Sequence, residues 1–373
     1  FDDSSSNSYA GINDKTSLNF TTADVNAPTL SSSTPADEAT GIAVDTNIVL
    51  NFNEAVDAES GNIIIYKSSD DSQVESIPVG DAKVSGSGST TITINPSTTL
   101  DGSTAYYVQV AATAFDDSSS NSYAGISDAT TLNFTTADIS APTLSSSTPA
   151  DGATGIAVDT NIVLTFNEAV DAENGNIIIV KSEDGSTVEA IDVTGSQVSG
   201  SGSTEITINP SVTLDGQTAY HLTIDETAFD DSSSNSYAGI SDTTTINFTT
   251  ADVTAPTVTF NPADSDTGVG RDSNINIEFN EAIVNADTSE ITNSNIASLI
   301  ILKDSNSNGS DLAFSATIDT DKKIITIDPN NNFSLGQTVY VSISAVEDAS
   351  ANETSLSSST FTVTSTGETI ATI

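Results

Sequence analysis

Carboxylates carry most of the chemical potential in this sequence, and they come in repeated sets. Glu54 and Asp57 lie in FNEAVDAE (Phe52–Glu59), Asp116 and Asp117 open FDDSSSNS (Phe115–Ser122), and Asp24 stands four residues before Pro28 in TTADVNAPT. The same residue types return as Asp138, Glu168, Asp171, Asp230 and Asp231, and again as Asp252, Glu281, Glu347 and Asp348. Four or five carboxylates brought to one place repel one another unless a cation sits among them. Ca²⁺ takes six to eight oxygens and tolerates irregular geometry, so it is the metal these sets would hold. The plainer alternative is that they do turn and solubility work in loops. A weaker metal candidate is DSNSNGSD, in which Asp304, Asn306 and Asn308, followed by Gly309 and Asp311, match the first half of an EF-hand loop. Its twelfth position is Ser315 instead of the Glu that such loops require, and an Asn-Gly hairpin turn explains the stretch without metal.

The composition excludes most other chemistry. With 52 Asp and Glu against 8 Lys and Arg, the net charge is −44. A chain so acidic is repelled by nucleic acid and by anionic membranes and attracts cations. Cys, Met and Trp are absent, which removes disulfides, thiolate metal sites and catalytic thiols. His221 is the single histidine, in an alternating strand where it is expected to face solvent; one such residue makes neither a His-based triad nor a His-rich zinc site. Paired carboxylates could hydrolyse glycosides, but an active site seldom recurs in every repeat. An enzyme is not expected. No apolar run approaches the roughly 18 residues of a membrane span, so membrane insertion is not expected within this sequence.

The carboxylate sets ride on an internal period. FDDSSSNSYAGI occurs word for word at Phe1, Phe115 and Phe229, at intervals of 114 residues, and the TTAD linkers keep the same spacing. The expected organisation is residues 1–24 as the C-terminal part, the F–G loop and last strand, of an incomplete repeat, full repeats at 25–138 and 139–252, and a divergent third repeat with a tail at 253–373. Within each, TTITINP (Thr90–Pro96), TEITINP (Thr204–Pro210) and KIITIDP (Lys323–Pro329) alternate apolar and polar residues, the period of a half-buried strand. SGSGST, from Ser85 and from Ser199, is a hairpin. About seven strands per repeat predict antiparallel β-sandwiches. Tyr106, Tyr220 and Tyr340, each just after a Gly turn, fit a tyrosine corner, whose hydroxyl bonds back to the preceding turn. If strands A to G run alternately up and down, the B–C and F–G loops share the pole where the linker enters, and each acidic set converges there.

The phrases APT, STPADGATGI, LTFNEAV, LDGQTAY and FTTAD together resemble the bacterial Ig-like repeats of S-layer proteins and large surface adhesins. That resemblance implies an all-β chain of tandem immunoglobulin-like antiparallel sandwiches in an elongated rod. It implies a structural stalk or filament at the bacterial cell surface or in the extracellular matrix. Calcium at the linkers would resemble a cadherin junction. The alternative role is a ligand-binding adhesin module for a glycan or protein, with a carbohydrate-active enzyme well behind. The expected partners are surface or matrix components and other copies of the same chain. Residues 1–24 are either cut from a longer array or complete a sandwich in a neighbouring molecule by strand addition.

Overall fold

The computed structural model describes residues 1–365; the tail assigned to the third repeat, residues 366–373, lies outside the described residues. The chain divides into two compact units, Phe1–Pro142 with Asp230–Tyr237, and Thr143–Phe229 with Ala238 onward. Strands dominate both. Among the described residues the one helical element is a four-residue 3-10 turn, Ile296–Leu299, and no helix is long and apolar enough to cross a membrane.

The first repeat shows the plan. Its elements are β1 (Leu30–Thr34), β2 (Ala39–Ile42), β3 (Ile48–Ala58), β4 (Asn62–Lys67), β5 (Gln73–Pro78), β6 (Val84–Ser85), β7 (Ser89–Ile94), β8 (Ala105–Val110), β9 (Phe115–Asp116) and β10 (Asn133–Thr136). One sheet runs β1-β3-β7-β6, with β9 also paired to β3, and the other runs β2-β10-β8-β4-β5. All pairings are antiparallel except β2 with β10. Alternation does the sorting. Ile48, Leu50, Ile92 and Ile94 point inward from one sheet, and Ile63, Ile65, Val108 and Phe134 from the other, all almost fully buried in one core. Burying such side chains is worth roughly 1.5–3 kcal/mol each, which is how short strands rich in Ser, Thr and Asn hold together.

The β6–β7 hairpin depends on Gly86, whose φ is +100° and whose missing Cβ would lie 2.0 Å from the Thr91 carbonyl oxygen. The second repeat repeats the two sheets with strands such as Ile162–Ala172 and Ala219–Ile224. The third has two four-stranded sheets, and Phe314–Ile318 pairs with Ile324–Pro329 over five residues. Its core is again Ile275, Ile277, Ile325, Ile327, Val341 and Phe361.

Three expectations change. FNEAVDAE is not a loop: β3 runs through it to Ala58, with a break in register between Asn51 and Val56, after which Val56 pairs with Ser89 of β7 and Asp57 and Ala58 pair with β9. His221 is buried, not solvent-facing, with its ring Nδ1 3.1 Å from the Ser182 hydroxyl. It sits on a central strand flanked on both sides, where outward residues are covered by their neighbours. The tyrosine corner holds at Tyr106 and Tyr220, whose hydroxyls accept the Asp101 and Asp215 N–H at 2.9 Å. It fails at Tyr340. Val339 pairs with Phe361 as Tyr106 pairs with Phe134, so Tyr340 falls one position later and on the other face of its strand.

A fourth expectation also changes: residues 1–24 form no last strand, having no sandwich of their own to pair with, and only an isolated bridge joins Asp2 and Ser8. Phe1, Tyr9, Leu18 and Phe20 are exposed, whereas Phe115, Tyr123, Leu132 and Phe134, at the same places in the repeat, are buried.

Candidate metal centres

In the first two repeats the acidic set is positioned by aromatic anchors one or two residues away. In the first repeat Phe52 packs against Phe115 at 5.5 Å and edge-on to Tyr123 at 5.1 Å. This pins the strand carrying Glu54 against β9, which carries Asp116, and the loop after it, which carries Asp117. In the second, Phe166 and Phe229 stand 5.4 Å apart.

The linker reaches the same place through asparagines. Asn53 accepts the Thr29 N–H at 2.6 Å and donates its own N–H to the Thr29 carbonyl at 3.1 Å. Asn167 holds Thr143, and Asn280 holds Thr257, through the same 2.6 Å bond. Pro28, Pro142 and Pro256 are buried beside these bonds.

The loop after β9 is built around its second carboxylate. Asp117 accepts the N–H of Ser119 and of Asn121 and the side-chain amide of Asn121, each at 2.8 Å. These bonds, the Asn121 amide first, hold the Asp117 carboxyl below its ordinary range. Burial works to raise Asp231 and Asp348, yet the bonds from Asn235 and Asn352 outweigh it and both stay low. Ser120, Ser234 and Ala351 take the left-handed conformation that closes the turn. The same asparagine amides reach the linker: Asn121 donates to the Asp24 carbonyl, Asn235 to that of Asp138 and Asn352 to that of Asp252, each at 3.2 Å.

The outcome is a triad of carboxylates. Asp24, Glu54 and Asp117 each offer an oxygen within 4.8 Å of the others, as do Asp252, Glu281 and Asp348; Asp138, Glu168 and Asp231 are the same positions in the second repeat. Two oxygens on one Ca²⁺ at about 2.3–2.6 Å can stand up to about 5 Å apart, so a single ion could span the triad at Asp24 and the triad at Asp252. All the donors are oxygens, which suits a hard cation. A second feature fits a cation. Asp116 Oδ1, Asp230 Oδ1 and Glu347 Oε2 are buried with no hydrogen-bond partner, and buried carboxylate oxygens are rarely left so.

Not all the expected ligands join the triads. Asp57 pairs with Asp116 across β3 and β9 and accepts the Ser87 hydroxyl at 3.3 Å. Asp171 accepts the Ser201 hydroxyl at 3.3 Å. In the third repeat Val284 stands opposite Glu347, so no carboxylate matches Asp57 there.

The weaker candidate folds as a self-contained turn: Asp304 Oδ1 accepts the Ser310 N–H at 2.5 Å and Asn306 Oδ1 the Asn308 N–H at 2.9 Å. The Lys303 ammonium pairs with Asp311 at 2.9 Å and bonds the Gly309 carbonyl, putting a cation of the protein's own at the loop.

The asparagines were missed from sequence. Their signal was present: Asp followed four residues later by Asn survives in the third repeat (Asp348, Asn352), although most of the loop between them differs.

The family described as bacterial Ig-like domain matches residues 24–136, 138–250 and 252–363. No curated protein matches the chain. Among solved structures, the S-layer protein rSbsC(31-844) is 11% identical over 93% of this chain and 55% of its own, with a TM-score of 0.21. Domains 1-6 of SbsC give 12%, 93%, 55% and 0.22. The insect immune protein hemolin is 12% identical over 90% of this chain and 76% of its own, with a TM-score of 0.23. The chain thus spans about half the length of the S-layer proteins it matches.

Proposed function

The chain belongs to the bacterial Ig-like domain family, three times over, and from this we propose that it is the structural repeat region of an extracellular bacterial surface protein. Its role is a stalk or filament body, and Ca²⁺ at the entry of each sandwich stiffens it. One observation carries this reading. A carboxylate triad joins the incoming linker residues Asp24 and Asp252 each to its own repeat, and it persists in the third repeat where much else has changed. Asp252 illustrates the logic. Its carbonyl is held by Asn352 of the third repeat, while its carboxylate accepts a bond from Gln217 of the second. An ion shared by Asp252, Glu281 and Asp348 would remove bending freedom at that linker. The chemistry is binding alone: the residues hold an ion by charge and oxygen number, and none needs to transfer a proton.

The same reading extends to residues 1–24 as the closing segment of a further sandwich. The other strands would come from chain preceding Phe1 or from a second copy, and surface or matrix components are its partners. Ile12 belongs to this apolar set too, 47% exposed where Ile126 is 2% exposed.

The test is calorimetric titration of the whole chain with CaCl₂, beside a variant carrying Glu54→Ala, Glu168→Ala and Glu281→Ala. Saturable binding that weakens in the variant, with a calcium-dependent rise in melting temperature, supports the reading. Absence of heat and of any melting shift at millimolar calcium overturns it and leaves the acid to solubility.

A further inference from the structure

We infer that the turn before the strand Ala219–Ile224, and its counterpart before β8, is a dock that fixes the outgoing linker onto the sandwich it leaves. Gly216 and Gly102 are the residues that make room for it. A Cβ on Gly216 would lie 2.8 Å from Val253 Cγ2, 3.1 Å from the Ala251 carbonyl oxygen and 3.2 Å from the Val253 nitrogen. On Gly102 it would lie 2.7 Å from Ile139 Cγ1 and 3.2 Å from both the Ala137 oxygen and the Ile139 nitrogen. The contacts under 3 Å are to side chains that can turn aside, but the backbone contacts of 3.1–3.2 Å are tighter than ordinary packing, so a side chain on either glycine would push the linker backbone outward.

Backbone conformation is not the reason for these glycines. Neither has a left-handed φ; the left-handed residue is the next one, Ser103 at 48° and Gln217 at 50°. What the glycines share is the chain lying over them. Backbone bonds lock it there: Ser103 N–H to the Ala137 carbonyl at 3.0 Å and Ala137 N–H to Ile42 at 2.8 Å, then Gln217 to Ala251 at 3.0 Å and Ala251 to Ile156 at 2.7 Å. Val25 holds the place of Ile139 and Val253 in its linker but has no such turn beneath it, and it is 80% exposed against 56% and 51%. The third repeat has lost the seat. Leu335 stands two residues after Phe333, as Gly102 and Gly216 stand two after Leu100 and Leu214, and it is 57% exposed.

The consequence is a linker gripped from both ends without metal. The dock holds Ala251 to Val253, and the bonds of Asn280 hold Thr257. This inference uses the tandem arrangement but does not rest on calcium.

The test uses the full chain, which has no cysteine of its own. Glu183→Cys and Ser307→Cys, both exposed, carry spin labels, and the distance distribution is measured with a chelator present. A narrow distribution that broadens in Gly216→Val is the expected result. Val253→Ala removes the Cγ2 contact without the backbone freedom of glycine and leaves the sandwich itself untouched; it is expected to broaden the distribution in the same direction, so a folding defect in the first variant cannot imitate the effect. A parent distribution already as broad as that of the variants, or variants with unchanged width, overturns the dock. A failure of calcium binding would show in the titration and leave these widths as they are.

Discussion

Asn352 joins two chains of consequence through one amide: it steadies the Asp348 carboxylate at 2.8 Å and holds the Asp252 carbonyl at 3.2 Å. Groups that orient metal ligands commonly affect affinity by about 10–100-fold. Asn352→Ala is accordingly expected to weaken calcium binding at that triad about 10-fold, read by titration, while the triad of Asp24, Glu54 and Asp117 keeps its affinity. The third triad also has a rival. Lys323 donates to the Asn280 carbonyl at 3.2 Å, one residue from Glu281, where the earlier repeats carry Thr90 and Thr204. Lys323→Thr is expected to tighten binding at the third triad. Away from the triads, Glu75 is a carboxylate held ionised by its partners. Burial acts to raise it, but the Lys83 ammonium at 2.7 Å and the N–H groups of Ser97 and Thr98 outweigh that and push it down to about 2. A carboxyl lowered in the fold stabilises it above the unfolded value near 4.5, and that contribution fades as pH falls toward 2. Melting curves should therefore show Glu75→Gln below the parent at pH 7 and converging on it near pH 2.

At the level of elements, the sandwich was legible because period-2 alternation is a direct image of a two-faced sheet. TTITINP and its relatives became β7 and its counterparts, with Ile92 and Ile94 inward. The tyrosine corner was legible where the spacing from the Gly turn was kept, and misread at Tyr340. There a Val fills the inward place and Phe333 meets Phe361 edge-on at 6.0 Å instead. Tyr106→Phe is expected to remove about 1 kcal/mol and the hydrogen-exchange protection of the Asp101 amide; unchanged protection would show that another group satisfies that N–H. Glu54 was foreseen at the pole but assigned to a loop. A bulge keeps a strand going with an altered direction, and the residues FNEA give no local sign of it. The asparagine clamps were missed because Asn in a Ser-rich loop looks like ordinary turn composition. Their role depends on partners nearly a hundred positions away, such as Asp24 for Asn121.

At the level of the molecule, repetition was the most legible property, and the period alone brought the linkers, acidic sets and closing strands into register. Removal of calcium acts on the whole chain. With a chelator the melting temperature of the whole chain should fall, and scattering should report a more flexible particle; an unchanged melting curve would argue that the triads hold no ion. One feature of the topology bears on how such a chain is made. The parallel partner of β2 is β10, and the bonds that join that edge, such as Asn133 to Asp37, span 96 residues. A sandwich therefore cannot seal until its last strand has arrived. A polypeptide threaded through a secretion channel with its N-terminus leading would stay pliant inside the channel and lock outside it, one repeat after another. Each closure would hinder backsliding, so that folding itself would help draw the chain outward.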